Sequence, residues 1–329
     1  MTWSIPDKPS GARPFLRWPG GKRWLVPYLC QLLHGMSFER YVEPFLGGAS
    51  VFLGLAPSNA LLSDINPELV TTFAQVRYRP QQLKTALRAI GVDEQTYARV
   101  RASTPTSSMD TAVRFLYLNR TAFAGMYRLS RKGAFNVPFG PGRSPATLWT
   151  TDSLESAARK LQGAKLGVAD FGDRLRKASD GDLVYCDPIY SVAHNDNGFV
   201  RYNEAAFKWD DQKRLAESAI AAANRGALVL VSNADHPEVS RLYGGAVRLV
   251  FRRQSRLCPQ VAYRRLTSES LFALGPEDLI EDISKRAQVG TDVQFFGVRR
   301  LANSVSRDNV DRPDPVHWVG HGVSRADRR

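Results

Sequence analysis

Short apolar runs that alternate with amphipathic stretches constrain this chain more than any other feature of its sequence. RYVEPF (40–45), ALLSD (60–64), KLGVADF (165–171), DLVYC (182–186), ALVLVSN (227–233), AVRLVFRR (246–253) and LTSESLFAL (266–274) read as strands. Helical patterns fill most of the gaps, at about 22–34, 66–78, 152–161, 208–225 and 236–242. Such alternation predicts an α/β fold with a doubly wound sheet. The last two runs have no clear helix between them, which predicts a closing antiparallel pair.

One gap is longer. Residues 80–150 interrupt the series between its second and third strands, with helical patterns at 80–90 and 109–119. Between Thr111 and Thr151 lie six basic residues (Arg114, Arg120, Arg128, Arg131, Lys132, Arg143) and no carboxylate. Tyr117, Phe123, Tyr127 and Phe135 are interleaved with them. Phosphate neutralisation together with flat apolar faces is what a nucleic-acid surface needs, whereas a merely solvated basic face calls for no aromatics. The formal net charge of +13 agrees with a polyanionic partner. Within the insertion, RKGAFNVPFGPG reads as a hairpin or loop turning at Gly133.

The same composition excludes other classes. No apolar run approaches membrane-spanning length, and the start MTWSIPDKPSGARP lacks a secretory signal, so a cytoplasmic protein with no membrane partner is expected. Three scattered cysteines and five histidines offer no metal-binding spacing, and none is assigned. From about Gly275 the periodicity fades: GPEDLIEDISKRAQ is compatible with one short helix, and 276–329 as a whole reads as a flexible tail.

Acids and glycines cluster where strands end. FLRWPGGKRWL (15–25) reads as a glycine turn opening a helix with Lys22 in its first turn, without the spacing of a phosphate-binding loop. YVEPFLGGASVF (41–52) is a strand, a glycine-rich turn and a helix, without the dinucleotide fingerprint. Asp64, Asp170 and Asp187 close three further strand runs. Open α/β sheets bind ligands at that edge, so these acids outline a nucleoside pocket.

Taken in order, WPGGK, EPFLGG, SDIN, DPIY and above all NRTAFAGMYRLSRKGAFNVPFG (119–140) resemble the Dam-type DNA adenine-N6 methyltransferases, over about residues 13–274. The resemblance implies a Rossmann-like methyltransferase sheet with an antiparallel final strand, formed by 1–79 and 151–275. It makes 80–150 a small, mostly helical target-recognition insertion containing the hairpin. It implies S-adenosylmethionine as cofactor, held by Trp18, Gly20, Gly21, Lys22, Glu43, Phe45, Gly47, Asp64, Asp170, Phe171 and Asp187. Asp64 would take the ribose, and Asp170 with Phe171 the adenine. Double-stranded DNA would be the partner, contacted by Arg17, Arg120, Phe123, Met126, Arg128, Arg131, Lys132, Asn136 and Pro138. Arg128 matches a guanine reader, Met126 and Pro138 contacts to a thymine methyl, and Phe123 a wedge in the duplex.

The catalytic residues implied are Asp187, Pro188 and Tyr190. An adenine N6 amine must pyramidalise to attack a methyl group. The Asp187 carboxylate and the Pro188 carbonyl can accept its two hydrogens, while Tyr190 offers a stacking face. Transfer from sulfur expels a neutral thioether, so neither a metal nor a covalent intermediate is needed. Ile189 stands where the family commonly has a second proline, Ala49 where it has glycine, and Ala124 where GATC-specific members have asparagine. The Ala124 departure makes the expected target GATC-like or a relative. Ile189 and Ala49 sustain a rival reading, a catalytically impaired DNA-binding regulator. An RNA or protein-amide methyltransferase is a further rival, disfavoured by the basic aromatic hairpin. A monomer or weak dimer is expected, and a cognate restriction enzyme is left open.

Overall fold

Successive side chains along the central strands point to opposite layers, and this two-residue period divides the core. Leu183, Tyr185, Leu228 and Leu230 join one buried cluster, while Val184, Cys186, Val229 and Val231 join the other. Strands apolar on both faces are what a parallel sheet sandwiched between helices requires. A computed structural model describes residues 2–130, 133–140, 153–190, 207–254, 266–289 and 295–301.

A small antiparallel pair, β1 (Trp3–Ser4) and β2 (Ser37–Phe38), precedes the main sheet. That sheet has eight strands in the order β10-β8-β9-β7-β6-β3-β4-β5. They are β3 (Arg40–Glu43), β4 (Ala60–Asp64), β5 (Ala164–Val168), β6 (Asp182–Cys186), β7 (Leu228–Ala234), β8 (Val247–Gln254), β9 (Leu266–Leu274) and β10 (Phe295–Arg300). β5, β4, β3, β6 and β7 run parallel, and β9, β8 and β10 add antiparallel pairings. The chain winds outward from β3 through β4 to β5, then returns to place β6 on the other side of β3. The switch point therefore lies between β3 and β6, where open α/β sheets leave a crevice at the strands' carboxyl ends. β9 runs the opposite way, so its beginning reaches this same edge, with Glu269 opposite Ala234.

The expected strands are all present. The helix expected over 22–34 is shorter, α1 (Val26–Leu32), and Lys22 lies in the turn ahead of it rather than in its first turn. Pro27 explains the start, since proline suits the first helical turn, where its missing N–H leaves no bond unmade. Asp170 does not end a strand. β5 stops at Val168, and Asp170 caps the short helix Phe171–Leu175 by accepting from the Gly172 amide.

Inside the insertion, helices Pro80–Arg88 and Ser108–Thr121 match the expected patterns, and Glu94–Ala102 is an additional helix capped by Asp93. Its Tyr97 hydroxyl donates to the Val137 carbonyl at 2.8 Å, bracing the hairpin from beneath. Leu83, Leu87, Tyr97, Phe115, Leu116 and Val137 share a buried cluster with Tyr41 and Leu62 of the sheet. The reading of 276–329 as a flexible tail needs correction in its first part. Glu277–Val289 is a helix with Ile280 and Ile283 buried, and β10 pairs with β8 at the sheet edge. FFGVRR, too short to show a period of its own, takes its conformation from its neighbour. Residues 302–329 lie outside the described residues.

Candidate active site

Lys22 and Asp187 meet at the switch point. The Lys22 ammonium, 3% exposed, lies 2.9 Å from Asp187 Oδ1 and 3.5 Å from Glu269 Oε2, and donates to the Gly20 carbonyl. Ser232 on β7 donates to the same Asp187 Oδ1 at 2.8 Å, and Tyr185 is within hydrogen-bond distance of Ser232. The Tyr190 hydroxyl donates to Glu269 Oε2 at 2.9 Å, and Lys22 Nζ sits 5.1 Å from the Tyr190 ring centre. Burial alone would push the Lys22 ammonium down, but the Asp187 and Glu269 carboxylates outweigh it and hold it above its usual value. Burial pushes the Asp187 carboxyl up, and Lys22 opposes that shift. Among the described residues nothing donates to Asp187 Oδ2 or to the Pro188 carbonyl. Toward the described residues, one oxygen of the acid is anchored, while its other oxygen and the neighbouring carbonyl keep their accepting capacity.

The glycine turn is built around Trp18. A Cβ on Gly47 would come within 2.9 Å of the Trp18 indole nitrogen, and one on Gly48 within 2.9 Å of Trp18 Cβ. The indole in turn packs against both Phe115 and Tyr127, with centroid distances of 6.3 and 5.7 Å. Ala49 adopts φ +54°, so the left-handed conformation of this position is kept despite its methyl group. Asp64 ties the turn down, accepting from the Gly47 amide through Oδ2 and from the Asn66 amide through Oδ1. Glu43 is buried beneath and accepts from the Tyr41 hydroxyl and the Phe52 amide. Burial pushes its carboxyl up to about 8. It braces the turn from below.

Asp170 and Phe171 lie on the same edge, engaged by a residue that sequence reasoning missed. Arg214 grips Asp170 with both guanidinium nitrogens, at 2.6 and 3.0 Å, and this pairing holds the carboxyl below its usual range. Its Cζ lies 3.9 Å from the Phe171 ring centre, while Phe45 stacks on Phe171 at 5.2 Å. Arg214 is 44 residues from Asp170, and no local pattern announces it. Glu269 was also missed, although a carboxylate inside an apolar closing strand is a visible anomaly. Ile65 and Val168, 75% and 54% exposed, stand uncovered beside Asp64 and Asp170. Exposed aliphatic residues at a ligand edge were a further available signal.

The recognition residues divide by exposure. Arg128, Asn136, Pro138 and Phe123 are exposed, while Met126 and Arg120 are half-buried. The hairpin closes through bridges Ala122↔Phe139 and Leu129↔Phe135, and Gly133, at φ +76°, lies at its tip. Arg128 Nε donates to the Asn136 side-chain oxygen at 2.8 Å, which fixes the guanidinium on the exposed face. Arg17 lays its aliphatic stem against Gly125, where a Cβ would lie 2.7 Å from Arg17 Cδ. Its peptide is clamped by Asn119, whose side chain accepts from the Arg17 amide and donates to the Arg17 carbonyl. Arg131 and Lys132 lie outside the described residues, as does the Ala124 side chain.

Strand order and site together define the class: open α/β proteins with a ligand crevice at a topological switch point. Within that class, a family model described as D12 class N6 adenine-specific DNA methyltransferase matches residues 18–256, and the chain belongs to that family. Its reaction is site-specific methylation of adenine in DNA. A DNA adenine methylase of Vibrio cholerae is 34% identical over 271 residues, covering 80% of this chain and 96% of the relative. A DNA adenine methylase of Escherichia coli K12 is 34% identical over 229 residues, with coverage of 68% and 81%. A type II methyltransferase of Lactococcus lactis subsp. cremoris is 32% identical over 241 residues, with coverage of 70% and 84%.

Proposed function

We propose that the protein transfers a methyl group from S-adenosylmethionine to an adenine rotated out of duplex DNA, at a GATC-like or related site. The observation that carries this reading is the pair of acceptors at Asp187 and Pro188, available beside an anchored carboxylate oxygen. An extruded adenine presents one amine with two hydrogens, and these two acceptors match it. Tyr190, held by Glu269, supplies the face on which the base stacks.

The carboxyl edge fits the cofactor. Asp64 spends one bond on each oxygen and keeps lone pairs for ribose hydroxyls, while Ile65 and Val168 offer apolar cover to a nucleoside. Trp18, Gly20, Gly21, Lys22, Glu43, Phe45 and Gly47 form or brace the turns around the methionine end, and Asp170 with Phe171 bounds the adenine end. When bound, S-adenosylmethionine supplies an electrophilic methyl group on a sulfonium. Asp187 then stabilises the positive charge that develops on the amine nitrogen, and its fixed geometry provides the rate through preorganisation.

In the insertion, Arg128 reads a guanine, Met126 and Pro138 meet a thymine methyl, and Phe123 wedges into the stack. Arg17 contacts the target sequence, Arg120, Arg131 and Lys132 bind the backbone, and Asn136 positions Arg128. Purified protein is expected to move labelled methyl groups onto duplex DNA, with Asp187→Ala lowering the rate by about a thousandfold or more while duplex affinity holds. Donor binding without incorporation into any adenine-containing duplex overturns the reading.

A further inference from the structure

Two carboxylates share Lys22: Asp187, placed at the substrate amine, and Glu269, which holds the Tyr190 hydroxyl. Glu269 is 4% exposed and reaches the site from β9, the strand whose reversed direction brings its beginning to the ligand edge. Its Oε2 lies 3.5 Å from Lys22 Nζ and accepts the Tyr190 hydroxyl at 2.9 Å. A buried carboxylate is costly unless something needs it. Lys22 alone would balance Asp187, which gives Glu269 no role in compensating that acid.

The chemistry supplies one. During transfer, positive charge moves toward the amine nitrogen beside Asp187. A lysine 2.9 Å from that carboxylate, uncompensated, would cancel the charge the nitrogen has to meet. Lys22 thus faces two acids rather than one. We propose that Glu269 is a positioning residue for methyl transfer: by sharing Lys22 with Asp187 and holding the Tyr190 hydroxyl, it leaves Asp187 anionic in net effect and keeps the stacking ring in place. The inference rests on the catalytic reading of Asp187.

Among the described residues, the groups facing Asp187 are Lys22, Glu269, Ser232, Tyr185, Glu43 and Cys186. Lys22 pulls the Asp187 carboxyl down, whereas Glu269 pushes it up. The two partners therefore act on the Asp187 carboxyl in opposite directions. Glu269→Gln is nearly isosteric and keeps an acceptor for Tyr190. It is expected to shift the Asp187 titration, and with it the acid limb of kcat/KM, to lower pH. It should also reduce kcat about tenfold with little change in KM for DNA. Lys22→Gln is expected to shift the titration to higher pH, because two like charges then face each other. Glu269→Asp should recover part of kcat.

The titration is read without DNA or donor, by carbon-13 carboxyl NMR on aspartate-labelled protein, assigned with Asp187→Asn. Opposite shifts in the two variants, together with the fall in kcat at little-changed KM for Glu269→Gln, support the inference; an unchanged kcat in that variant of an active enzyme overturns it. Unmoved titrations, or shifts of the same sign, overturn it. Neither NMR result depends on whether methyl groups reach DNA, so failure of the positioning role is distinguishable from failure of the proposed reaction.

Discussion

The carboxyl edge of the sheet and the recognition hairpin handle charge in opposite ways. At the edge, cations and acids answer one another within the chain: Lys22 with Asp187 and Glu269, and Arg214 with Asp170. Along the hairpin, from Ala122 to Gly140, the sequence carries basic residues and no acid. Arg128 is steered by a neutral amide, and half-buried Arg120 has no acidic partner among the described residues. Burial pulls the Arg120 guanidinium below its usual range, with no carboxylate to restore it. A region that pairs its cations with its own acids is built for a small ligand and a reaction. A region that leaves its cations open is built for a polyanion.

Three tests bear on this contrast, beyond the loss of transfer expected for Asp187→Ala and the opposed titrations at Lys22 and Glu269. The largest effect on DNA recognition belongs to the hairpin. Arg128→Ala should cost about 1–3 kcal/mol of discrimination at one base pair, read from methylation rates on duplexes substituted position by position. An equal loss on every duplex would reduce Arg128 to a phosphate contact.

The second test lies beneath the ligand edge. Glu43 folds with its carboxyl raised to about 8 from 4.5, so the folded chain binds a proton that the unfolded chain has released. Stability should be fully present below the unfolded value and fall as pH rises from about 4.5 to about 8, by up to about 1.4 kcal/mol per pH unit. Glu43→Gln, whose amide oxygen can accept the same two bonds, should flatten that slope in urea titrations. A slope unchanged by the substitution would assign it to other groups.

Arg120→Gln carries the smallest effect. Duplex affinity should weaken several-fold at low salt, and the dependence of log affinity on log salt should become shallower by about one ion. A salt slope identical to that of the parent would mean that Arg120 meets no phosphate.

What could be read from the sequence was what repeats locally. The strands at 182–186 and 227–233 declare themselves through unbroken apolar character, and Asp187 through its place after one of them. Gly133 marks the hairpin turn because a positive φ favours that residue. Partners chosen by the fold were hidden. Arg214 and Glu269 meet Asp170 and Lys22 only after a crossover helix and a reversed strand bring them to the same edge. The helix at Glu94–Ala102 escaped because only Thr96 and Tyr97 are buried in it, too few to set a period. β10 escaped because an edge strand draws its bonds from β8.

Asn119 holds the peptide of Arg17 as a neighbouring strand would, accepting at 2.9 Å and donating at 2.7 Å across 102 positions. That amide is buried, so its bonding capacity has no substitute in solvent. A chain trimmed as far as Arg17 would strand the Asn119 side chain inside the protein and loosen the insertion far from the cut. Shortened versions of this enzyme should therefore begin well ahead of that residue, however dispensable the leading segment looks on the page.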